Sequence, residues 1–595
     1  MKERWYLQTK KADFNEISRK FNISPILARL IRNRNVIGDE NIKKYLSPDI
    51  ERLSSPWMFK DMDKAVDILK IKIAAGNRIR VICDYDVDGE MSTAILELAL
   101  ETFGGYPVHV RLPRRFSEGY GLSMKIIDEI SDGLIITVDN GIAALEQVKA
   151  AKAKGLSVVV IDHHLPVRNP DTEEIILPEA DYVIDPKAIE GSMFSEYCGA
   201  GLAYRFAKAL LTEEHPIMNN LLVFASIATV TDMVPLIGDN RTIVKEGLKH
   251  INQRDVTFGL QILLDRLKLN HVTEEDYGFL IGPVMNASGR MLDDGPIDVV
   301  NMVTSLADPA NPEFIRKTMY LQDLADELVE RNEKRKEAVE KDLIEAENII
   351  RKKTLMNNNP LIVYSSNFWE GTIGILAGKL AEKYQVPCLV FTKSSAKGIA
   401  KGSGRTYGNI HLKYLLDKAS DLLVGYGGHA AAAGMSIKIT NISILQHRLK
   451  SYLKTEAGDT ESTSFYDMEI SENDMPSLIQ EIETYAPYGV GNPKPVFRMD
   501  NFACSPVAGK FYKDLGENQI CTKFTGRNLT AIGFHLADDY KKAGEPKIMN
   551  IIGTLSKKKF QYATTIQMEI LDFENAEDHS KSEFYMDLEK TLSFI

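Results

Sequence analysis

Five short apolar runs alternate with helical segments between residues 80 and 184, and this alternation limits the possible folds most strongly. Strands that are separated by helices are typical of a parallel sheet with helices on both faces. The pattern therefore predicts a doubly wound, mainly parallel α/β domain. The predicted strands are residues 80–83, 108–112, 134–138, 158–161 and 182–184, and the predicted helices include residues 92–103 and 142–154.

The rest of the 595-residue chain has room for several further domains. Short helices are predicted before the α/β domain, and a mostly helical region after it ends in a long charged helix near residues 312–353. A second α/β unit follows, and the alternating patterns after it predict a small β-barrel of the OB type. The predicted boundaries are residues 1–75, 76–240, 241–355, 356–460 and 461–595.

The bulk composition restricts the cellular context. No apolar run approaches the ~20 residues that span a bilayer, and the polar N-terminus has no secretory signal. The five cysteines are scattered without metal-type spacing, which indicates reduced thiols. We therefore expect a cytoplasmic protein that has no membrane partner. The sequence leaves the oligomeric state open, and a monomer is the default expectation.

The net charge of −11 at first argues against a nucleic-acid partner. Binding depends on local patches rather than on the average charge of the surface, however. A cluster of carboxylates that binds metal ions also makes the bare chain look more acidic than the metal-loaded protein. The charge alone therefore does not exclude DNA.

Acidic residues follow the first predicted strand at every second position, as Asp84, Asp86 and Asp88. If this stretch is extended, the three side chains project to one side, where like charges repel and a cation would relieve them. Gly89 permits the turn into the next helix. The alternative is a polar loop with helix-capping aspartates.

Two further strand ends carry polar groups of the same kind. Asp139 follows the third strand, and Asp162, His163 and His164 follow the fourth. Because ligands of open α/β sheets gather at the carboxyl ends of the strands, these side chains should meet in one crevice. Asp232 follows an apolar helical run, and its alternative interpretation is an ordinary helix-end aspartate.

Aspartate and histidine ligands with little sulfur suit Mn²⁺ or Mg²⁺ better than a structural zinc ion. Two such ions about 3.5–4 Å apart can activate a water molecule and neutralise a phosphoryl group. Nothing in the sequence indicates a serine or cysteine nucleophile. The pattern therefore favours hydrolysis of a phosphate ester.

Three regions suggest contacts with phosphate or with a nucleic-acid strand. The basic patch at Arg111, Arg114 and Arg115 suits bidentate phosphate contacts, unless it is a solvated loop. The run Gly-Ser-Gly-Arg at residues 402–405 lets the backbone approach a phosphate. The basic run at residues 557–560 includes a phenylalanine and suits a single strand, although a solvated hairpin tip would look the same.

The run Asp-Tyr-Asp-Val-Asp-Gly at residues 84–89, Val-Asp-Asn-Gly at 138–141, Asp-His-His at 162–164 and the Asp232 segment resemble the four motifs of the DHH phosphoesterases. Other motifs resemble the RecJ family within that superfamily. They lie at residues 115–122, 198–203, 286–290, 369–375, 402–405, 425–434 and 485–497. Two positions depart from the family pattern, because Cys83 stands where glycine is common and Glu90 where an apolar residue is common.

The resemblance implies a DHH domain over residues 76–240, a DHHA1 domain over 356–460 and an OB domain over 461–595. It implies a 5′→3′ exonuclease for single-stranded DNA that acts in repair and recombination, with a single-strand-binding protein and a helicase as further partners. One alternative is a hydrolase of short oligonucleotides, cyclic dinucleotides or pyrophosphate, which usually lacks the OB domain and the long connector. Another is a metal-free DNA-binding relative, whose acidic motifs should be broken.

The resemblance also implies a role for individual residues. One divalent ion, Mn²⁺ or Mg²⁺, would bind Asp84, Asp86 and Asp139, and a second would bind Asp88, Asp139, His163 and Asp232. His164 would contact the scissile phosphate. The implied substrate contacts are Arg115, Ser403 and Arg405 at a 5′-phosphate, Arg290 along the strand, and His429, for which simple packing is the alternative.

Overall fold

The computed structural model describes residues 4–105, 108–169, 171–189, 192, 194–211, 215–456, 463–507, 510–515, 521–527, 529–560 and 563–576. The chain divides into two compact units. One unit comprises Met1–Asp49, Pro235–Gly238 and Thr460–Ile595, and the other comprises Ile50–Val234 and Asp239–Asp459. None of the helices in the described ranges has the length and hydropathy that crossing a membrane requires.

The larger unit begins with a five-stranded sheet whose neighbouring strands all run parallel. Alternate side chains of its central strands enter two different cores. Val81, Ile136 and Val159 pack with one group of helices, and Ile135 and Val158 pack with another on the opposite face. In spatial order the strands are His109–Arg111, Ile79–Ile82, Leu134–Val138, Ser157–Ile161 and Tyr182–Ile184.

This arrangement confirms the predicted doubly wound sheet. The helix that follows its first strand begins earlier than its apolar pattern predicts, because Asp86 accepts hydrogen bonds from the backbone of Asp88 and Gly89 and caps it. The larger unit has two lobes, and the first lobe contains this sheet. The main helices of the first lobe are Met62–Ala74, Val87–Gly104, Met124–Asp128, Leu145–Ala153, Gly199–Leu210, Ile217–Thr231, Gly238–Asn252, Phe258–Arg266, Gly282–Met291 and Gly295–Thr304.

A connector helix, Phe314–Lys352, links this first lobe to the second lobe of the same unit. Its 39 residues match the predicted charged helix, but one stripe of it is apolar. Leu321 and Leu328 pack into the core of the first lobe, whereas Ala346 and Ile350 pack into the second. The connector therefore contributes to both hydrophobic cores.

The second lobe contains another five-stranded sheet, of which one pair of strands is parallel. The predicted strand–helix–strand order is confirmed. In spatial order the strands are Leu423–Gly428, Ala432–Lys438, Ile399–Arg405, Cys388–Lys393 and Leu361–Tyr364, and the helices are Ile373–Tyr384, Leu412–Asp417 and Ile442–Glu456.

The smaller unit contains a seven-stranded sheet, which confirms the predicted β-rich C-terminal region. In spatial order its strands are Met468–Glu469, Val496–Ala503, Ile548–Phe560, Ala563–Asn575, Thr530–Phe534, Cys521–Thr525 and Tyr512–Leu515. A helix, Met475–Glu483, and the N-terminal helices Phe14–Phe21, Pro25–Asn33 and Asp39–Leu46 pack on it, and Arg4–Leu7 pairs in parallel with Thr463–Tyr466.

The N-terminal residues belong to both units. Residues 1–49 group with the C-terminal sheet, whereas the helix Met62–Ala74 packs against the first lobe. The five-domain division that the sequence suggests stays a prediction.

Glu97, on the helix Val87–Gly104, provides a test of how burial affects stability. One of its carboxylate oxygens has no hydrogen-bond partner among the described residues, and burial followed by repulsion from Glu101 raises the pKa of Glu97 to about 7. The folded protein therefore holds a proton that the unfolded chain releases near pH 4, and stability falls as the pH rises between these values. We expect Glu97→Gln to raise the unfolding free energy by about 1–3 kcal/mol near pH 8.

Urea unfolding at about pH 5 and pH 8 measures this effect. The gain should shrink toward the lower pH, where Glu97 is protonated. Glu337→Gln, on an exposed position of the connector helix, should change little at either pH. An equal gain for Glu97→Gln at both values would rule out the explanation by burial.

Candidate functional site

The loop after the strand Ile79–Ile82 brings three aspartates to one place. Asp84 and Asp88 are buried and Asp86 is half-buried. The loop turns so tightly that a side-chain carbon at Gly89 would lie 2.4 Å from the carbonyl oxygen of Asp84. The alternative of a capping aspartate is borne out for Asp86, because the helix already begins at Val87 and Asp88 reaches the site from its first turn rather than from an extended run.

Asp88 is held by the start of a second helix. The backbone amides of Gly199 and Ala200 each donate a hydrogen bond of 2.7 Å to its carboxylate. These are amides at a helix N-terminus, which favours a negative charge. The helix also packs close to the next ligand candidate, because a side-chain carbon at Gly199 would lie 2.6 Å from Cβ of Asp139.

Asp139 follows the strand Leu134–Val138 and has a left-handed backbone, with φ of 61°. Aspartate tolerates this conformation better than most side chains. The next residue, Asn140, fixes the turn because its amide donates to the carbonyls of Ile82 and Val138 and its oxygen accepts from Leu122. The ends of two strands are thereby tied together beside Asp139.

The two histidines differ in pKa because Asp162 forms a hydrogen bond with only one of the two rings, that of His164. Nδ1 of His164 lies 2.8 Å from the carboxylate of Asp162, which also accepts from the backbone amides of His163 and Ile142. Burial opposes protonation of His164, but the bond to Asp162 raises its pKa to about 9. Burial instead lowers the pKa of His163 to about 4, which leaves a neutral imidazole that can bind a metal ion.

His163 lies at the centre of the acidic residues. Its Nε2 is 3.1 Å from Asp139, 3.6 Å from Asp88 and 3.9 Å from Asp232. Asp232, at the end of the helix Ile217–Thr231, thus reaches the same site as the strand-end residues. The structure brings together all seven residues of the predicted centre, which form the overlapping groups Asp84–Asp86–Asp139, Asp88–His163–Asp232 and Asp139–His163–His164.

The chemistry of this centre fits a divalent cation. Within each group the nearest ligand atoms lie within 4.8 Å of one another. Burial, followed by repulsion from neighbouring carboxylates, raises the pKa values of Asp84, Asp139 and Asp232. One oxygen of Asp84 is buried without a hydrogen-bond partner among the described residues. Buried carboxylates in this condition are normally paired or bound to metal.

The loop that carries the predicted arginine patch uses two of its three guanidinium groups internally. Arg111 donates to Glu118 at 2.8 Å, and Arg114 donates to Asp294 at 2.6 Å. Arg115 instead lies over the ring of Tyr85, with 4.6 Å between the guanidinium carbon and the ring centroid. Tyr85 stands between Asp84 and Asp86 in the chain, so this arginine lies beside the acidic centre.

Glu118 fixes the shape of that loop, although no pattern in the sequence singles it out. Its carboxylate accepts from Arg111, from the backbone of Arg114 and from Lys125. Burial opposes ionisation, but the bond from Arg111 helps to lower the pKa of Glu118 to about 2. Glu118 is therefore ionised at neutral pH and keeps these hydrogen bonds and ion pairs within the loop.

Arg290 of the first lobe and Ser403 and Arg405 of the second provide the other predicted phosphate contacts. Ser403 and Arg405 alternate on the strand Ile399–Arg405, and Arg405 donates to the Ser403 hydroxyl at 3.2 Å. Burial, and then repulsion from Arg115, lowers the pKa of Arg290 to about 9 and lowers that of Arg405. The three guanidinium groups are therefore close enough to repel one another, and a bound anion would relieve that repulsion.

His429 and Tyr120 complete the surroundings of His164. The rings of His164 and His429 are stacked with centroids 6.3 Å apart, which brings the exposed His429 of the second lobe to the site. The hydroxyl of Tyr120 donates to the backbone of Asp139 and lies 3.3 Å from Nε2 of His164. Tyr120 belongs to the motif at residues 115–122, and that motif gave no role to this residue.

The two departures from the family pattern are both buried. Glu90 is fully enclosed, and neither of its carboxylate oxygens has a partner among the described residues, so it is not a surface group. Cys83 is enclosed as well, and all five cysteines are free thiols. In the smaller unit Lys557 and Lys558 are exposed, and the side chains at 559 and 560 lie outside the described residues.

Family models match three regions of the chain. The DHH family N-terminal domain matches residues 78–229, the DHHA1 domain matches residues 357–455, and the RecJ OB domain matches residues 466–572. The first match contains every member of the acidic centre except Asp232, which lies three residues beyond its end, and the second contains Ser403, Arg405 and His429.

Individual proteins agree with these matches. The chain is 30% identical to the single-stranded-DNA-specific exonuclease RecJ of Bacillus subtilis, over 96% of this chain and 71% of that protein. The fold matches RecJ of Thermus thermophilus in complex with Mn²⁺ at a TM-score of 0.78, 24% identity and coverage of 96% and 79% of the two chains. A second structure, of exonuclease RecJ bound to manganese, matches at 28% identity and a TM-score of 0.54, with 67% and 95% covered. The chain therefore belongs to the RecJ family.

We expect Asp139→Ala to remove metal binding and hydrolysis while the fold is retained. Asp139 is shared by two of the three groups of candidate ligands, and removing one of several like charges should not destabilise the metal-free protein. Loss of an outer partner of a ligand usually costs about 10–100-fold in metal affinity, so loss of this shared ligand should cost at least roughly 100-fold.

Calorimetric titration with Mn²⁺ measures metal binding by the variant, and a thermal unfolding curve measures whether the fold is retained. Asp171→Ala, at an exposed position of the same lobe, is the matched control and should bind Mn²⁺ like the unchanged protein. Normal Mn²⁺ affinity in Asp139→Ala would show that the site is assigned wrongly.

Proposed function

We propose that this chain is a metal-dependent exonuclease that hydrolyses single-stranded DNA from the 5′ end. The observation that carries the proposal is the juxtaposition of two sites of opposite charge. Arg115 lies over the ring of Tyr85 and thus adjoins the acidic centre. Arg290 of the first lobe and Arg405 of the second lobe both lie near Arg115. Such a pair of sites can hold a terminal phosphate beside the bond to be hydrolysed.

The ligand groups support a centre for two divalent ions, Mn²⁺ or Mg²⁺. Asp84, Asp86 and Asp139 would hold one ion, and Asp88, His163 and Asp232, together with Asp139, would hold the other. When bound, such ions activate water and neutralise developing charge on a phosphoryl group. The protein fixes the ligands beforehand, because helix amides hold Asp88 and a left-handed turn sets Asp139.

His164 is the proposed contact to the scissile phosphate. Asp162 holds one of its ring nitrogens, and the other faces Tyr120 beside Asp139. The ring is thereby oriented toward the acidic centre and can donate to a phosphate oxygen. His429 faces His164 from the second lobe and would contact the same nucleotide.

The 5′-phosphate pocket is the part of the site that sets polarity. Arg115, Ser403 and Arg405 would bind the terminal phosphate, and Arg290 would hold the strand. Charge-assisted, bidentate contacts from arginine suit a phosphate dianion. Because a 3′ end carries a hydroxyl instead, this pocket accounts for digestion from the 5′ end.

Family membership supports a long single strand as the substrate. Relatives at about 30% identity are named single-stranded-DNA-specific exonucleases, and the C-terminal region matches the RecJ OB domain. OB domains bind single strands through a positive groove and base stacking. Action in DNA repair and recombination in the cytoplasm as a monomer, with a single-strand-binding protein and a helicase as partners, forms part of the same proposal.

The alternative function is hydrolysis of short oligonucleotides or cyclic dinucleotides. Those enzymes share the acidic centre, so the centre alone does not separate the two functions. The seven-stranded C-terminal sheet and the 39-residue connector favour the long strand, because a dinucleotide has no need of a further binding domain.

Arg405→Ala and Arg115→Ala should weaken the use of 5′-phosphorylated DNA far more than metal binding. Each removes a charge-assisted hydrogen bond worth about 1.5–3 kcal/mol, which corresponds to roughly 10–150-fold in kcat/KM. Arg114→Ala is the matched control, since that arginine is already paired with Asp294. Steady-state digestion of strands with and without a 5′-phosphate measures the effect, and equal losses on both would refute the pocket.

The enzyme should degrade free single strands and the tails of 5′-tailed duplexes but stall at blunt duplex ends. The proposed phosphate pocket is formed by residues of both lobes. A duplex would therefore have to unpair to bring its terminal phosphate into that pocket. The assay compares a blunt duplex, a 5′-tailed duplex and a single strand of equal length at one salt concentration, because phosphate contacts weaken as salt rises. Fast digestion of the blunt duplex would refute strand selectivity.

A further inference from the structure

Trp369 connects the two lobes beside the proposed phosphate pocket, and none of the site roles predicted above is assigned to it. Its indole Nε1 donates a hydrogen bond of 2.8 Å to the backbone carbonyl of Arg290 in the first lobe. Its own backbone amide donates 2.9 Å to Asp342 of the connector helix. Its ring meets the ring of Phe116 edge-on, with 5.9 Å between the centroids. One side chain thus contacts two separate segments of the first lobe.

Each of these side-chain contacts is next to a residue of the proposed phosphate pocket. Arg290 is itself one of the arginines, and Phe116 directly follows Arg115. The backbone of the tryptophan loop is equally close, because a side-chain carbon at Gly371 would lie 2.0 Å from the carbonyl oxygen of Arg290. The Arg290 guanidinium returns a bond of 3.3 Å to the Gly371 carbonyl.

The helix that follows Trp369 extends the connection to the second lobe. Ile373–Tyr384 begins four residues after the tryptophan. A side-chain carbon at Gly374, in its first turn, would lie 3.0 Å from the hydroxyl of Ser403 and 3.1 Å from the guanidinium of Arg405. The segment that starts at Trp369 therefore contacts every part of the pocket directly or through one neighbour.

Such a connection is needed because the arginines repel one another. Electrostatic repulsion alone would separate Arg115, Arg290 and Arg405 when no phosphate is bound. A rigid aromatic ring with one N–H donor can hold the segments that it contacts together at a fixed distance. Trp369 is 41% exposed, so filling a hydrophobic core does not account for its position.

We propose that Trp369 is a positioning residue of the 5′-phosphate pocket and sets the preference for a phosphorylated end. Its indole holds Arg290 and the Arg115 loop at a fixed distance from the strand that carries Ser403 and Arg405. This inference rests on the proposed function. It assigns no contact between Trp369 and the substrate.

The first test separates positioning from general support of the fold. Trp369→Phe keeps a ring against Phe116 and removes the N–H donor. We expect kcat/KM on a 5′-phosphorylated single strand to fall about threefold to tenfold further than on the same strand with a 5′-hydroxyl, mainly through KM. Trp57→Phe, at another exposed tryptophan of the same unit, should leave the ratio unchanged. Equal losses on both strands, or no loss, would overturn the inference.

The second test does not depend on hydrolysis. In EDTA, a single strand with a 3′-fluorescein label should bind the unchanged protein more tightly with a 5′-phosphate than with a 5′-hydroxyl, as measured by fluorescence anisotropy. Trp369→Phe should abolish that difference in affinity, and Trp57→Phe should retain it. If the difference persists in Trp369→Phe, the positioning role is refuted. If the unchanged protein shows no dependence on the 5′-phosphate in either test, the proposed function itself fails.

Discussion

Mutual repulsion among buried carboxylates at the ends of parallel strands is the constraint on which the rest of the site depends. Helix amides stabilise Asp88, and the ring of His163 lies among Asp88, Asp139 and Asp232. These contacts offset only part of the repulsion, since burial and neighbouring charges still raise the pKa values of several members. Divalent cations would offset the remainder. The tight packing at Gly89 and Gly199 keeps the carboxylates together despite that repulsion.

The phosphate pocket presents the opposite electrostatic problem. Arg115, Arg290 and Arg405 repel one another, and a phosphate would relieve that repulsion. Divalent cations would thus offset the negative charge of the acidic centre, and a phosphate would offset the positive charge of the arginines. Because Arg115 lies over the ring of Tyr85, which stands between Asp84 and Asp86 in the chain, the two sites adjoin at this loop. If the arginines bind a terminal 5′-phosphate as proposed, they hold the end of the strand beside the acidic centre.

The sequence predicts what depends on local pattern and misses what depends on distant contacts. Strand ends can be located from apolar runs, so the acidic centre follows from the rule for parallel sheets. The spacing of Asp84, Asp86 and Asp88 left open whether the stretch is extended or caps a helix, and the cap formed by Asp86 starts the helix before Asp88. The pairing of Arg114 with Asp294, 180 residues away, leaves no local signal, and the same is true of the bond from Trp369 to Arg290. Side-chain partners at such separations become visible only in the folded chain.

The most direct measurement follows two labels on one single strand in the presence and absence of Mn²⁺. With Mn²⁺, the enzyme should release a label at the 5′ end first, as a mononucleotide, and a label at the 3′ end last. Without a divalent ion neither label should be released. Early release of the 3′ label, or equal digestion in EDTA, would show that the chain is not a metal-dependent 5′→3′ exonuclease.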